Sequence, residues 1–563
     1  MFACHLLCAN GPVSMNLSCC KFALPLLLLL SMPVHHVSAQ WQRYDETADL
    51  AQLAEHENAR MHFQLLNSKL LDKNDLWQAF IAELSQFTAS DYEALKPLIL
   101  EQSISALQLA VAEGSLSYEA IVTFYIYRIR EIESDDNRYI NAVISLNPEA
   151  IARARMLDES RSGDTNVDSD SIFGMPVLLK DNIGFDGLPT TAGAVALREN
   201  MTANAFITDR LEEEGAIVLG KANLSEWAYF FCNDCPSGYS ALGGQTLNPY
   251  GRFQFGTGGS SSGSAAATAA NYAVVAVGSE TSGSILSPAS ANSLVGLKPT
   301  TGNLSRTGIV PISATLDTAG PIARSVADAV VMFNAMAGYD RNDMAMPLIS
   351  DDFSLEYRVI DLPGKRLGIV EALADNSHYM AAVHLLAGSG ATTIELEFSP
   401  GRDDRFSQLL GGEMVRDLAL YLDRFASSAV EITSISVLQA FNEGNMGLRA
   451  PYGQGLVSMM SELNLSVAEL ELIREELQSA ARAQLDKLFN DSDLDVLLSV
   501  NNRHASIAAL ANYPALTIPM GYEADGRPIG LTLFAPPYRE QDLIDVGANY
   551  EQLSKARKTP SNY

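Results

Sequence analysis

The chain is short of basic residues for its length. It has 38 lysines and arginines against 67 aspartates and glutamates, so its formal net charge is −29 over 563 residues. Nucleic acids and anionic membranes attract basic surfaces, so a chain this acidic is not expected to bind either of them in general. Charged residues make up 19% of the chain and hydrophobic residues 47%. This composition is typical of a soluble globular protein and excludes a disordered one.

The apolar run near the N-terminus is too short to cross a bilayer, which takes ~20 residues. The run FALPLLLLLSM follows Lys21 and leads into PVHHVSA, which ends in small residues at Ala39. A charge, a short apolar core and small residues in this order are typical of an export signal. We predict a signal peptide at residues 1–39, starting at Met15 rather than Met1, in a periplasmic or secreted protein without a membrane partner after cleavage. An uncleaved anchor or a misplaced start is the alternative.

Cysteine is nearly absent from the rest of the chain. Four of the six cysteines lie in the leader, namely Cys4, Cys8, Cys19 and Cys20. Cys232 and Cys235 remain, in FCNDCPSG, and a C-x-x-C pair can be redox-active, half of a zinc site or a disulfide. Zinc would need a second cysteine pair or a histidine pair nearby, and a thioredoxin-like site would need a helix where Pro-Ser-Gly indicates a turn. In an exported protein we predict a structural disulfide and no metal site.

Short apolar runs alternate with amphipathic helices from about residue 101 onward. The runs that predict strands are MPVLLK, AIVLG, AVVAVG, RLGIV, TTIELEF and LDVLLSV. They indicate an α/β protein with a largely parallel, two-sided sheet. A hairpin is predicted around Asp525-Gly526, and a helix capped by Ser117. A buried stripe is predicted on that helix, formed by Tyr118, Ile121, Val122, Tyr125 and Ile129.

The chain divides by pattern rather than by linkers, since it has no internal repeat and no long low-complexity segment. TADLAQLAEHENARMHFQLLNSKLL carries apolar residues at helical spacing, so residues 40–100 are predicted to be a helical extension. Residues 101–556 are predicted to form one large domain, followed by a C-terminal tail at 557–563.

The sequence lacks the signatures of two common enzyme classes, the α/β-hydrolases and the P-loop nucleotide-binding proteins. The histidines after the leader lie in no recognisable motif; they are His56, His62, His378, His384 and His504. No G-x-S-x-G elbow directly follows an apolar strand, which counts against an α/β-hydrolase, and no G-K-[ST] follows the glycine-rich segments, which counts against a P-loop. The chain has two serine-rich loops instead. They are GTGGSSSGS, and GSETSGSILSPAS directly after AVVAV.

A serine nucleophile needs a base, and with histidine excluded a lysine is the candidate. Lys180 closes the apolar strand GMPVLLK, where it would be partly desolvated. Only a neutral lysine is a base, and burial lowers its pKa from ~10.4 toward the ~7–8 that this role requires. A strand-end lysine paired with Asp181 is the alternative at this point.

Six segments together resemble the amidase signature family. They are GMPVLLKDNI…PTTAG, GGSSSGSAAA, GSETSGSILSPA, VGLKPTTGNLSRTGIVPIS, DTAGPIARSVADA and PALTIPMGYEADGRPIGLTLFA. They occur in that family's order and cover the chain from about residue 101 to 556. The resemblance implies an α/β fold with a large twisted mixed β-sheet flanked by helices on both faces. It also implies amide hydrolysis without metal or cofactor, and it favours the catalytic interpretation of Lys180.

The resemblance implies a Ser-cisSer-Lys triad. Ser284 matches the nucleophile that is acylated, Ser260 the bridging serine after a cis peptide, and Lys180 the base. The backbone amides that match the oxyanion hole are those of Thr281, Ser282, Gly283 and Ser284. A bridging serine suits a proton relay because its hydroxyl both donates and accepts. Ser261 is assigned a supporting role. Plain loop packing is predicted for Ser262, Ser264, Ser279, Ser287 and Ser290.

The nucleophile loop departs from the family pattern. Members often have Asp-Thr-Gly-Gly-Ser-Ile-Arg, whereas this chain has Glu280, Ser282 and Leu286. The missing arginine counts against a tRNA-dependent amidotransferase A subunit, and E-T-x-G-S-I is more similar to the peptide amidase branch. We expect cleavage of a carboxamide C–N bond, in peptide C-terminal amides or small amides, with esters left open. The alternatives are a substrate-binding protein on an inactive scaffold and an amidotransferase-like enzyme. The expected partner is a small-molecule or peptide amide, and the oligomeric state stays open.

Overall fold

The structure, a computed structural model, describes residues 40–161, 168–346, 353–401 and 403–563. The predicted signal peptide, with Met15 and the four leader cysteines, lies outside the described residues. Residues 42–563 form one unit, which includes the predicted extension from residue 42 onward and the predicted tail.

Thirteen strands occur in the described ranges, and eleven of them form one sheet. The strands are β1 (Val143–Leu146), β2 (Pro176–Lys180), β3 (Ile217–Ala222), β4 (Tyr239–Ser240), β5 (Gly244–Gln245), β6 (Val275–Glu280), β7 (Val295–Lys298), β8 (Thr318–Ala323), β9 (Arg366–Val370), β10 (Thr392–Leu396), β11 (Val496–Val500), β12 (Ala515–Tyr522) and β13 (Pro528–Phe534). The sheet order is β1-β3-β2-β6-β8-β7-β12-β13-β11-β9-β10, and β4 pairs with β5 separately. All six strands predicted from apolar runs are confirmed.

The sheet is mixed, as the resemblance implies. Parallel pairing is confined to β3-β2-β6 and β11-β9-β10, and the remaining neighbours are antiparallel. The prediction of a largely parallel sheet is therefore wrong. The antiparallel strands β7, β8 and β13 are buried at every position. Since helices cover both faces, these strands carry the unbroken apolar pattern that is typical of parallel ones. The hairpin around Asp525-Gly526 is confirmed, because Tyr522 of β12 pairs with Pro528 of β13.

Nineteen α-helices flank the sheet in the described ranges. They are α1 (Thr47–Ala54), α2 (Asn74–Trp77), α3 (Ile81–Gln86), α4 (Ala89–Ile99), α5 (Ile104–Ala112), α6 (Tyr118–Glu133), α7 (Ala150–Ser160), α8 (Phe206–Glu213), α9 (Ser262–Ala269), α10 (Leu286–Ala291), α11 (Val326–Met336), α12 (Ser377–Gly388), α13 (Arg405–Arg424), α14 (Ile435–Glu443), α15 (Met446–Arg449), α16 (Gly455–Glu462), α17 (Val467–Ser492), α18 (Ala505–Ala511) and α19 (Glu540–Ser554). The Ser117 hydroxyl accepts from Ala120 N at 3.1 Å and caps α6, whose predicted stripe is buried. Within the described ranges, no helix has the length and apolarity needed to cross a bilayer.

The N-terminal extension is less helical than its pattern predicts. Helix α1 ends at Ala54, and residues 62–73 are not helical. There the Leu66 carbonyl accepts from Gln245 N at 2.8 Å and from Asn141 Nδ2 at 3.0 Å, and the Ser68 hydroxyl donates to the Ala241 carbonyl at 2.7 Å. Hydrogen bonds to the large domain thus replace the helical ones. Long-range pairing of this kind overrides local propensity.

Candidate active site

The carboxyl ends of β2 and β6 bring the lysine strand and one serine loop together. Because β2 and β6 pair in parallel, Lys180 and Glu280 end their strands at the same edge of the sheet. The other serine loop, before α9, is held against β6. The Ser261 hydroxyl donates to the Ser279 carbonyl at 3.1 Å and accepts from Ser279 N at 3.2 Å. These bonds tighten the loop, and the supporting role of Ser261 in the reaction stays a prediction.

Lys180 and Ser260 are in direct contact in the interior of the protein. Nζ of Lys180 lies 2.7 Å from Ser260 Oγ, and both residues are fully buried. The peptide bond between Gly259 and Ser260 is cis, as the resemblance implies. Nζ also lies 2.9 Å from the hydroxyl and 3.0 Å from the carbonyl oxygen of Ser279. Three oxygen atoms therefore surround the lysine nitrogen, and one belongs to the predicted bridging serine.

Burial changes the charge state of Lys180. Desolvation lowers the pKa of its amine to about 7, while the carboxylates of Asp317 and Glu280 act in the opposite direction. Asp181, the alternative partner, faces Lys221 of β3 instead, with Oδ1 3.7 Å from that residue's Nζ. A large fraction of Lys180 is thus neutral near pH 7, which is the state that a base requires.

Ser284 lies beside the bridging loop and is partly exposed. The Ser284 carbonyl accepts from Ser261 N at 3.1 Å, which places the nucleophile candidate next to the Ser260–Ser261 segment. Its hydroxyl makes no hydrogen bond to any residue that the structure describes. The structure therefore joins Lys180 to Ser260 directly, and joins Ser284 to that pair through the backbone.

The backbone amides of the nucleophile loop are not equivalent. Gly283 N donates to Glu280 Oε1 at 2.7 Å, so this predicted oxyanion donor already has an acceptor. The amides of Thr281, Ser282 and Ser284 have no acceptor among the described residues. Glycine is required at position 283, where φ is 85° and a Cβ would lie 2.9 Å from Asn502 Nδ2. The Ser282 hydroxyl lies 3.0 Å from the Ser506 hydroxyl, so α18 borders this loop.

Three residues near the lysine were not assigned a role from the sequence. Ser279, predicted to pack in the loop, contacts Nζ through two oxygens, so that prediction is wrong. Its hydroxyl also accepts from Asn182 Nδ2 at 3.0 Å. Asp317 accepts from the Thr281 hydroxyl at 2.5 Å, and burial raises the pKa of its carboxyl to about 6. The register between β2 and β6 would have placed Ser279 beside the lysine, but the sequence does not show that register.

A cavity of about 620 Å³ borders the site. Its lining includes Ser279, Thr281, residues 306–314 and side chains from the C-terminal half of α13. Most of these walls are apolar, through side chains such as Ile309, Val310 and Phe425. The size and the mostly apolar lining are typical of a small-molecule site.

Cys232 and Cys235 form a disulfide in the structure, with their Cα atoms 5.5 Å apart. Both are buried in an apolar cluster that includes side chains of α13. A short distance before them, Trp227, Ala228 and Tyr229 have φ values of 51°, 53° and 78°. Residues other than glycine rarely adopt this backbone conformation. Ala228 lines the cavity. The cysteine pair therefore lies next to a strained turn that contributes to the cavity wall.

No histidine in the described ranges makes a hydrogen bond to Ser260, Ser261 or Ser284. His504 is buried, and its Nδ1 lies 2.7 Å from the Ser499 hydroxyl. Burial lowers the pKa of its imidazole to about 4. No group of three or more His, Cys, Asp or Glu side chains within the described ranges has the arrangement of a metal site.

Known proteins share both the sequence and the fold. The sequence model of the Amidase family matches residues 120–544. A probable amidase of Arabidopsis thaliana is 35% identical over 82% of this chain and 92% of its own length. The crystal structure of an amidase family protein from Bacillus anthracis str. Ames has a TM-score of 0.83 at 35% identity, covering 88% of this chain and 99% of that one. The native peptide amidase from Stenotrophomonas maltophilia has a TM-score of 0.76 at 35% identity, covering 82% and 98%. The chain belongs to the amidase signature family and is a hydrolase of carbon–nitrogen bonds in amides.

Proposed function

We propose that this hydrolase acts through an acyl-enzyme on Ser284, with Lys180 as the base and Ser260 as the proton relay. The observation that carries the proposal is the 2.7 Å contact between Lys180 Nζ and Ser260 Oγ, in full burial. A neutral amine has two N–H donors and one lone pair. Two of the three oxygens around Nζ belong to Ser279, so its carbonyl and hydroxyl suit the donors. The lone pair is then left for the Ser260 hydroxyl.

The steps follow from this arrangement. Ser284 Oγ attacks the amide carbonyl carbon and gives its proton to Ser260, which passes its own proton to Lys180. When the C–N bond breaks, the proton passes from Lys180 to Ser260 while Ser260 gives its own proton to the leaving nitrogen, and ammonia or an amine departs. Water then attacks the acyl-serine, and its proton restores the Ser284 hydroxyl when the acid leaves. The sum is an amide plus water giving a carboxylic acid plus an amine.

The charge that develops on the carbonyl oxygen needs fixed donors. We propose that the amides of Thr281, Ser282 and Ser284 supply them, because these three have no other acceptor in the part of the chain that the structure describes. Gly283 belongs to the same loop, but its amide is held by Glu280 at 2.7 Å. Removal of one oxyanion donor costs ~10²–10³ in kcat in a well-studied protease.

For the substrate we propose peptide C-terminal amides or small amides. A cavity of about 620 Å³ next to Thr281 can accept an apolar group attached to the scissile amide. The likeness to a peptide amidase, at 35% identity over nearly all of that chain, supports the peptide class.

The experiment measures ammonia released from three compounds: a C-terminally amidated dipeptide with an apolar last residue, benzamide and acetamide. We expect ammonia from the first and a slower release from the others, because the apolar cavity walls contribute binding energy. Release from acetamide alone would contradict the peptide class. No release from any amide, by folded protein that also lacks a fluorophosphonate adduct, would favour an inactive scaffold.

We also propose that the protein is exported and that the Cys232–Cys235 disulfide persists in the exported form. The leader pattern at 1–39 supports export, and disulfides persist in oxidising compartments. Alkylation of the denatured mature protein without reductant is expected to add no mass, and alkylation after reduction to add two labels. Two labels without reductant would contradict the disulfide. The double variant Cys232→Ser/Cys235→Ser is the matched control, and it is expected to add no label with or without reductant.

A further inference from the structure

One buried carboxylate holds the backbone on both sides of Ser284. Glu280, at the end of β6, is only 1% exposed. Its Oε1 accepts from Gly283 N at 2.7 Å, and its Oε2 accepts from Ile285 N at 2.7 Å and Leu286 N at 3.0 Å. Hydrogen bonds to an ionised acceptor are shorter and about twice as strong as neutral ones. One side chain thus fixes the peptide groups before and after the nucleophile candidate.

We propose that Glu280 is a positioning residue, whose carboxylate holds the nucleophile loop so that the Ser284 hydroxyl and the unpaired amides face one substrate carbonyl. The inference rests on the proposed function of Ser284. Glu280 makes no hydrogen bond to Lys180 in the described structure, so it is expected to act on the reaction through the conformation of the loop and through the electrostatic effect of its charge.

The backbone amides of the loop have few other acceptors, although the hydroxyls of Thr281 and Ser282 also hold it, through Asp317 and Ser506. Three of its amides have no acceptor in the described residues, and α10, which follows, is only six residues long. Backbone bonds from this segment include Ser287 N to the Gly283 carbonyl at 2.8 Å and Ser261 N to the Ser284 carbonyl at 3.1 Å. Neither bond uses an amide of residues 281–286. The carboxylate of Glu280 is therefore the acceptor for every loop amide that is satisfied there.

The charge of Glu280 is expected to affect the midpoint of the pH–rate profile. Burial lowers the pKa of the Lys180 amine, and the carboxylates of Asp317 and Glu280 raise it. On the neighbouring strand β3, Lys221 faces Asp181 rather than Lys180. Removing the charge of Glu280 lowers the pKa of Lys180, so the neutral base persists to lower pH. A residue that only stabilised the fold would not change this midpoint.

The test compares Glu280→Gln with wild type on the amidated dipeptide. Glutamine has one acceptor oxygen, and its NH₂ group would face a backbone N–H. We expect kcat to fall about 100-fold with KM changed less than about threefold, since a misplacement of ~1 Å costs this much. The acid limb of the pH–rate profile is expected to move to lower pH. Glu280→Asp keeps the charge on a shorter side chain, so it is expected to keep the midpoint and lose less than about tenfold in kcat.

Glu540→Gln is the matched control. Glu540 is fully buried and accepts from Thr300 N at 2.8 Å and Asn303 Nδ2 at 2.6 Å, in a loop that does not contain Ser284. We expect lower stability in this variant without a shift of the pH midpoint. Wild-type kcat and midpoint in Glu280→Gln would overturn the inference. If that variant does not fold, a raised KM with unchanged kcat in Glu280→Asp would overturn it. A wild type inactive on every amide would instead overturn the proposed function.

Discussion

Ser284→Ala is expected to lower kcat/KM for an amidated dipeptide by a factor of about 10⁴ or more, with the fold unchanged. Removal of the nucleophile in a well-studied serine protease costs ~10⁶ in kcat, and binding with the oxyanion donors supplies the remaining rate. Ser284 is partly exposed, and its hydroxyl makes no hydrogen bond in the described structure. Its loss is therefore expected to change the free energy of unfolding by less than about 0.5 kcal/mol.

Intact mass after fluorophosphonate treatment checks the same assignment without a substrate. Wild type is expected to gain one adduct, mapped by peptide analysis to Ser284, and Ser284→Ala none. Ser287→Ala, three residues along in the same segment, is the matched control and is expected to label like wild type. A folded Ser284→Ala protein with the wild-type rate would refute the acyl-enzyme on this residue.

Lys180→Met is expected to lower kcat about 10³- to 10⁴-fold and to remove the rise of the rate with pH. General base catalysis contributes ~10²–10⁴ in rate, and in the proposed mechanism the base also returns the proton to the leaving group. In wild type the pKa of Lys180 is about 7, and the proposed base is its neutral form. Activity should therefore increase as the pH rises through about 7. Methionine keeps most of the volume, so the site stays filled.

Lys298→Met is the control for this prediction. Lys298 is also fully buried with a pKa lowered to about 8, but its Nζ donates to the carbonyls of Pro299 at 2.9 Å and Tyr513 at 3.2 Å. We expect the pH profile of this variant to match wild type. A pH profile of Lys180→Met that still rises through pH 7 would contradict the role of Lys180 as base.

Thermal unfolding of Lys180→Met separates function from stability. The pKa of Lys180 is lowered in the folded state, so between about pH 7 and 10.5 the unfolded chain binds the extra proton. Stability of wild type therefore rises with pH in this window, because the unfolded state holds more protons. At pH 7, Lys180→Met is expected to unfold at a higher temperature than wild type while being nearly inactive. The base is thus maintained at a cost in stability.

The sequence predicts the parts of this site that depend on local pattern. Lys180 ends an apolar strand and Ser260 opens a small-residue loop, and both features can be read within ten residues. The contacts of Ser279, Asp317 and Gly283 depend on strand register and on loop conformation. Asp317 reaches Thr281 over a separation of 36 residues, which no periodicity reports.

In the fold, too, local patterns predict the elements but not how they pair. Unbroken apolar runs predict that β2 and β6 are buried strands, but they do not distinguish parallel from antiparallel neighbours, so they do not show that β7 and β8 are antiparallel. The predicted hairpin, in contrast, gives the antiparallel direction of β13. In the N-terminal extension, a local pattern predicts helix where the structure has none. Its helical spacing is real, yet a carbonyl at Leu66 that pairs with Gln245 stabilises a different conformation.

The reactive centre exists only in the assembled sheet. Lys180 and Ser260 are 80 residues apart in the chain, and residues of α18 close the nucleophile loop from more than 200 residues further on. In an unfolded chain this lysine has an ordinary amine and these serines have ordinary hydroxyls. Reactivity toward a fluorophosphonate is therefore a reporter of native topology. If the proposed function holds, a chain is expected to react with a fluorophosphonate only after folding has brought Lys180, Ser260 and Ser284 together.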